Sequence, residues 1–561
     1  MTHVVELHGG KLVANDGQTI INIFDTRFMP GDTVSIAQGV ITLVERKEQA
    51  VIATIKAIDN GHAILYVNHL GPSCPFQPII EDNNYKVGDR LVLWLNVDGS
   101  ISFRAAFTSD AKDDVPALLK MYSLYKKPED FIYLVNDYTK PLYTIDSVVN
   151  HNNLNTFTID PTNSVDFDDA ISVDVKNSTV YVHIVDIAAA DCDNQLSEGA
   201  RRRLKERCLT LYLANEHTEH LLDPEVASTT LSLIKGQERK VVTVKVQLND
   251  NGMVNNYDIY RSTIIVKQRW NYDEVAAILK TTKAPDELTF LAALTRNRSS
   301  TVKYNISLPS IRFSVDPHSS NIEPATLRTE STNDDSHNIV ATAMVLANLV
   351  VSKHLQYCQI KLPNRFHDTL HGMSNPTFMS TGNEMVDSFI MVKRYARACY
   401  SVDKKGHFGL GLTDYVHFTS PMRRYADVLV HQILAGAVYN EQALTLEVAW
   451  INHRQQVVRS IQDMYNHWKI IRHAMTEPQV YEAWITDVKK GGVLWFIPSL
   501  SLNGFAHVST LSPKQFWYFD YSRNTLEGQH NKELIAIGKK FQATIDSVDP
   551  ITWSPNLTIY S

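Results

Sequence analysis

Cysteine is scarce in this chain: 561 residues contain five, Cys74, Cys192, Cys208, Cys358 and Cys399, far apart and with no CxxC pair. That spacing argues against a disulfide scaffold or a zinc ribbon and fits a reducing compartment. Long apolar runs are also missing. The longest, AMVLANLVV, is too short to span a bilayer and is interrupted by Asn348. The start, MTHVVELHGG, has no basic region leading into an apolar stretch, so it does not read as a signal peptide. There is no low-complexity segment and no basic tail. Together these absences give the expectation of a soluble, cytoplasmic protein without a membrane partner. Neither charge sign dominates, with 54 Lys and Arg against 61 Asp and Glu for a net charge of −7. A slightly acidic total does not exclude a nucleic-acid partner, because phosphate binding needs a local cationic groove rather than a cationic average.

What is present is an ordinary globular composition, 44% hydrophobic and 20% charged, long enough at about 150 residues per domain for three or four domains. The first hundred residues alternate apolar and polar positions in TIINIF, DTVSI, AVIATIKAI, HAILYV and RLVLWL. PGDTVSI at Gly31-Asp32 and VGDRLVL at Gly88-Asp89 are two copies of one pattern, a Gly-Asp turn feeding a strand. Two small OB or cold-shock-like β-barrels are expected, over 1–48 and 49–106, followed by a connector over 107–155. Residues 156–473 mix strands and helices and predict one α/β or α+β domain. In it, DNQLSEGARRRLKERC holds an amphipathic helix, HNIVATAMVLANLVVSKHLQ a buried one, and Ser420-Pro421 marks a helix start. Residues 474–561 return to β, and Gly538-Lys539-Lys540 before FQATI repeats the earlier turns, so a third small barrel is expected.

The sharpest local feature is TIDPTNSVDFDDAISV, with Asp160, Asp166, Asp168 and Asp169 between two strand-like flanks. Crowded carboxylates repel, which raises their pKa unless a cation neutralises them. Hard oxygen ligands favour Mg²⁺, Mn²⁺ or Ca²⁺. An EF-hand loop does not fit, since counting from Asp166 puts Ile171 at its glycine position and Asn177 at its glutamate position. A solvated Asp-rich turn is the plain alternative. Two Mg²⁺ ions about 4 Å apart would serve phosphodiester hydrolysis. The charge gained in its transition state asks for a fixed cation, which HFTSPMRRYAD offers as Arg423 and Arg424. The plain alternative there is an ion pair of Arg423 with Asp427.

TIDPTNSVDFDDA and HFGLGLTDYVHFTSPMRRYADVLVHQ resemble the two signature segments of the RNB-domain exoribonucleases. The likeness extends over nearly the whole chain, and the RNase II layout, with two cold-shock-like barrels, a catalytic domain and a C-terminal S1 barrel, fits best. The resemblance implies hydrolytic, processive 3′→5′ digestion of single-stranded RNA to nucleoside 5′-monophosphates by a Mg²⁺-dependent, two-metal-ion mechanism, with Mn²⁺ as a substitute and no small-molecule cofactor. It implies that Asp160, Asp166, Asp168 and Asp169 hold the metal, that Asp168 and Asp169 with Arg423 are catalytic, and that Tyr272 and Tyr212 stack on the RNA. Arg424, Arg202 of the RRRLKER run, and Phe505 and His507 of the last barrel are further expected RNA contacts, with the FWYFDY stretch and Lys489-Lys490. Two departures stand out. Ala341 and Thr342 replace two glutamates, one of which in the family helps to grip the terminal ribose. Ala214-Asn215 replaces a proline-glycine, and the His217 and His220 that follow are too sparse to read as a metal site. The departures keep open two alternatives: an RNA-binding protein on a catalytically weakened scaffold, and action on DNA.

Overall fold

The computed structural model describes residues 2–8, 11–15, 20–23, 27–37, 40–67, 76–81, 84–125, 135–138, 140–192, 196–299, 309–331, 335–368, 380–393, 395–511, 516–530, 532–549, 551 and 553–560. Cys74 and much of the connector, 126–134, lie outside the described residues.

Three five-stranded antiparallel sheets share one strand order. In the first, Thr2–His8 is central; in the second, Gln49–Asp59; in the last, Tyr481–Lys489. In each, the opening strand pairs with the second strand of its sheet on one side and the fourth on the other. In the second sheet, for example, His62–Val67 and Arg90–Leu95 flank Gln49–Asp59. The recurring turn explains the shared geometry. Gly31, Gly88 and Gly538 have φ of +93°, +95° and +85°, a region where a side chain is penalised. Their N–H groups donate to the carbonyls of Val5, Ile55 and Ile485 at 2.8, 2.9 and 2.8 Å. The N–H groups of those same three residues donate back to the carbonyls of Asp32, Asp89 and Lys539 at 2.8, 2.9 and 2.9 Å. Each turn is thereby fastened to the central strand of its own sheet.

In the middle of the chain the strand pairing closes on itself. Thr156–Asp160 pairs antiparallel with Asp169–Asp174, which pairs with Thr179–Val185, then Glu238–Leu248, then Val254–Asn271. The last strand is 18 residues long, and its final third runs back parallel to Thr156–Asp160. Val and Ile at alternate positions of these strands bury one face, where Val180, Val182, Val244 and Ile259 are fully buried, and the other face carries a buried hydrogen-bonded chain of Thr156, Ser172, His183, Thr243 and Ser262. Because Thr156–Asp160 and Asp169–Asp174 are antiparallel neighbours, Asp160 at the end of one and Asp169 at the start of the next emerge at the same rim.

Helix Asp335–Tyr357 packs Ile339, Ala343, Leu346 and Val350 against this ring. It is long and apolar enough to cross a membrane by length and composition, yet its apolar residues serve as a core element here. Helix Glu441–Thr476 has 36 residues, about 54 Å at 1.5 Å per residue. Its second half enters one core with the Gln49–Asp59 sheet, helix Asp114–Leu124 and the C-terminal sheet. The junction also carries a buried charge cluster: Asp114 pairs with Arg90 at 2.6 Å and Arg472 at 3.0 Å, and Lys469 pairs with Glu216 at 2.8 Å.

Candidate active site

The loop 161–168 leaves the ring at Asp160 and re-enters it at Asp169, and Asp160, Asp166, Asp168 and Asp169 all line one cavity of about 940 Å³. Asp168 is 6% exposed. Its Oδ1 accepts the N–H of Met422 at 2.9 Å, and its Oδ2 lies 3.5 Å from Nε of Arg423. Burial pushes the Asp168 carboxyl up to about 7, with Arg423 and the Met422 N–H opposing. Burial, then the Asp168 charge, pushes Asp160 up to about 7 against the pull of Arg269. Burial, then Asp160, does the same to Asp169, also to about 7. Carboxyls raised in this way by burial and by one another would be relieved by a cation.

The donor set fits a hard divalent ion. All four groups are carboxylates, and Oδ2 of Asp160 is buried without a hydrogen-bond partner. Among the described residues, no three Asp, Glu, His or Cys side chains form a ready-made cage. An open, acid-lined rim is the arrangement that suits Mg²⁺, which keeps several waters and shares carboxylates with substrate phosphates.

The arginines sit differently from the sequence expectation. Ser420-Pro421 does not open a helix. The helix runs Tyr425–Leu434, and Ser420 to Arg423 form a tight turn before it, with the N–H groups of Arg423 and Arg424 both donating to the Ser420 carbonyl at 3.3 and 3.1 Å. The cause is Asp427, fully buried, whose Oδ1 accepts both the Ser420 N–H at 2.8 Å and Nη2 of Arg424 at 2.7 Å. The expected Arg423–Asp427 pair is thus an Arg424–Asp427 pair. Arg424 lines the cavity with its guanidinium bound to Asp427, while Arg423 reaches Asp168 and donates from Nη2 to Ser420 Oγ at 3.0 Å.

Aromatic side chains complete the walls: Tyr212, Tyr272, Phe313, His337 and Tyr415. Asn271 caps the helix Tyr272–Ile278 through a capping box with Glu274, which fixes Tyr272 at the first helical position. The Tyr272 ring stacks on His337 at 3.9 Å with 5° between planes. Tyr212 is 40% exposed, and its carbonyl accepts from Gln462 at 3.2 Å. Of the two residues standing where glutamates were expected, Ala341 faces the cavity beside Val340 and Met344, and Thr342 is not among its lining residues.

The remaining expected contacts lie elsewhere. Arg202 is 75% exposed on helix Glu198–Arg207, 3.9 Å from Glu206. Its neighbours Arg201, Arg203 and Arg207 pair with Asp191, Asp223 and Glu219, so the basic run tacks its helix onto adjoining segments. Phe505 and His507 are exposed on strand Leu502–His507 of the C-terminal sheet, with Tyr518 and Tyr521 also exposed nearby in sequence, and none of them lines the acid cavity. Lys489 pairs with Asp487 at 2.8 Å. His217 pairs with Glu219 at 3.1 Å. Sequence reasoning missed His337 and Arg312, both of which line the cavity. His337 stands four residues before Ala341 on one helical face, a spacing that could have revealed it.

Comparison with known proteins fits this geometry. The RNB domain family model matches residues 149–440, which span the strand ring, the acidic loop and the arginine turn. The chain belongs to the RNB domain family. Among curated relatives, Ribonuclease R of Chlamydia trachomatis is 26% identical over 548 residues, covering 84% of this chain and 76% of its own. Ribonuclease R of Mycoplasma genitalium is 24% identical over 467 residues, covering 72% of this chain and 62% of its own. Among solved structures, Mycoplasma genitalium RNase R in complex with ribose methylated single-stranded RNA superposes with a TM-score of 0.75 at 18% identity, covering 100% of both chains. Yeast Ssd1, described as a pseudonuclease, superposes with a TM-score of 0.67 at 16% identity, covering 94% of this chain and 81% of that one. The fold is therefore shared by a chain named as an RNase and by one named as a pseudonuclease, so the chemistry of this chain has to be argued from its residues.

Proposed function

We propose that this RNB protein is an exoribonuclease that hydrolyses single-stranded RNA from its 3′ end, one nucleoside 5′-monophosphate at a time. The observation that carries the reading is the meeting of Asp160, Asp166, Asp168 and Asp169 with Arg423 and the Tyr272–His337 stack in a single cavity. The four acids would hold Mg²⁺, with Mn²⁺ as a substitute, and the bound ions would supply water activation and leaving-group stabilisation.

The protein's own part is positioning and charge. Tyr272 and His337 give the terminal base a flat face that accepts any base, which suits sequence-blind digestion. Tyr212, at the cavity wall, offers a second stacking surface. Arg423, steered by Ser420 and Asp168, stands where it can bind the scissile phosphate and balance the charge that grows in the transition state. The walls of one chain enclosing the strand end favour processive digestion, in which the strand advances without release. By this reading the small sheets at 2–45, 49–107 and 481–560 are the RNA-guiding modules, and Phe505 and His507 are stacking contacts on the last.

The rival reading is an RNA-binding protein without catalysis. The Ala341 substitution and the pseudonuclease likeness favour it; the intact acids and Arg423 weigh against it. A 3′-end-labelled single-stranded RNA incubated with Mg²⁺ separates them. Release of labelled mononucleotide supports the nuclease, and retention of intact RNA overturns it.

A further inference from the structure

The loop that carries the acids makes little structure of its own. Within 161–168 the backbone forms one internal hydrogen bond, Ser164 N–H to the Pro161 carbonyl at 3.1 Å. Its shape is imposed from outside. Nη2 of Arg269 faces three of its carbonyl oxygens: Thr162 at 2.7 Å, Ser164 at 3.2 Å and Pro161 at 3.4 Å. The same guanidinium lies over the Phe167 ring, 4.9 Å from its centroid. The far half is held by Ser232, whose Oγ accepts the Phe167 N–H at 3.0 Å and donates to the Val165 carbonyl at 2.9 Å. Arg269 is itself fixed, because it sits on the ring strand that pairs with Thr156–Asp160, opposite Thr158.

We propose that Arg269 is a positioning residue that sets the acidic loop, gathering the carbonyls of the 161–164 turn so that Asp160 and Asp166 face the cavity before any ion or RNA arrives. The role needs a planar donor head. A guanidinium spreads its donors over a rigid plane, so Nη2 can meet the carbonyls while the centre of the group lies over Phe167, whereas an ammonium offers a single donor nitrogen for both contacts. Arg269 also lies three residues before Tyr272, so one strand end sets both the acids and the stacking platform. The inference rests on the nuclease reading only where it names a divalent ion as what the acids hold.

The test uses the full chain with Arg269→Lys and Arg269→Ala, read in three ways. Hydrogen exchange of the amides in 162–168 should quicken by about tenfold or more in both variants, while exchange in Thr179–Val185 stays as in the parent. Mn²⁺ affinity, followed by electron paramagnetic resonance without RNA, should fall by roughly tenfold to a hundredfold, the range seen when outer supports of metal ligands are removed. RNA affinity in the absence of metal should hold within about twofold. If loop exchange and Mn²⁺ affinity of Arg269→Lys match the parent, the assignment is overturned and the residue's charge alone matters. Should the parent itself leave RNA intact, the nuclease reading falls, and the exchange measurement still decides whether Arg269 braces the loop.

Discussion

Arg423 and Asp168 meet at 3.5 Å although one belongs to the turn before helix Tyr425–Leu434 and the other to the acidic loop of the strand ring. The backbone joins them too, because the residue before Arg423 donates its N–H to the same carboxylate at 2.9 Å. Replacing Asp168 with Asn keeps an oxygen for that N–H and removes the charge. Hydrolysis should drop by at least ~10³-fold, as when a central electrostatic element of an active site is lost. RNA binding measured without metal should persist, since base stacking is untouched. Single-turnover cleavage against filter binding checks both, and a fully active Asp168→Asn enzyme would falsify the role.

Metal binding should depend on pH in a direction set by the three crowded acids. Asp160, Asp168 and Asp169 are each pushed up to about 7, above the ordinary carboxylate range, by burial first and by charge neighbours second. A carboxyl raised in the folded state favours folding while protonated, so the ion-free protein loses stability as pH rises from the ordinary carboxylate range through about 7. Mg²⁺ needs the deprotonated oxygens and releases their protons. Added Mg²⁺ should therefore raise Tm more one unit above that value than one unit below it, approaching the stabilisation of ~2.7 kcal/mol expected at about 100 times Kd. An equal or reversed Tm gain on the acid side would remove the acids from the metal site.

Much of this was written locally in the sequence. Asp166, Asp168 and Asp169 form a run, Arg423 and Arg424 form another, and the Gly-Asp turns repeat because each fastens to its own central strand. The single positions were hidden. Arg312 and Arg269 each stand alone on elements whose facing is decided by packing, and no local pattern marks them, while His337 is marked only by its helical spacing from Ala341. The helix start was misplaced because Asp427, which reads as an ordinary first-turn acid, turns its carboxylate back onto the Ser420 N–H and holds the preceding turn out of the helix.

That same residue gives a stability prediction. Asp427 is fully buried and accepts from both Ser420 and Arg424. Asp427→Ala leaves the partly buried Arg424 guanidinium without its carboxylate and should cost about 3 kcal/mol, the low end for a broken buried pair. Asp427→Asn keeps the acceptor oxygen and should cost less, yet it should still slow cleavage by loosening the turn that aims Arg423. Urea unfolding beside kcat measures the two effects separately. A slowed Asp427→Asn enzyme with unchanged KM would place the loss in the turn, whereas unaltered kcat would show that Asp168 and Ser420 Oγ hold Arg423 without Asp427.

The helix face opposite the acids bears on the choice between RNA and DNA. Val340, Ala341 and Met344 line the cavity between the Tyr272–His337 stack and Asn348, and Asn348 is engaged, donating to Tyr415 Oη at 3.1 Å and accepting from the Phe418 N–H at 2.8 Å. A site built to hydrogen-bond a hydroxyl rejects the analogue lacking it by ~10⁴-fold or more, whereas an apolar wall separates the two by about 10²-fold at most. An RNA strand with one 2′-deoxy nucleotide at its 3′ end should therefore be trimmed within about 10²-fold of the all-ribose strand. Ala341→Glu places an acceptor on that wall and should widen the gap, mainly by slowing the deoxy substrate. Paired single-turnover rates on the two strands measure it. Strong rejection of the deoxy end by the parent protein would mean that a polar group other than this helix face grips the sugar.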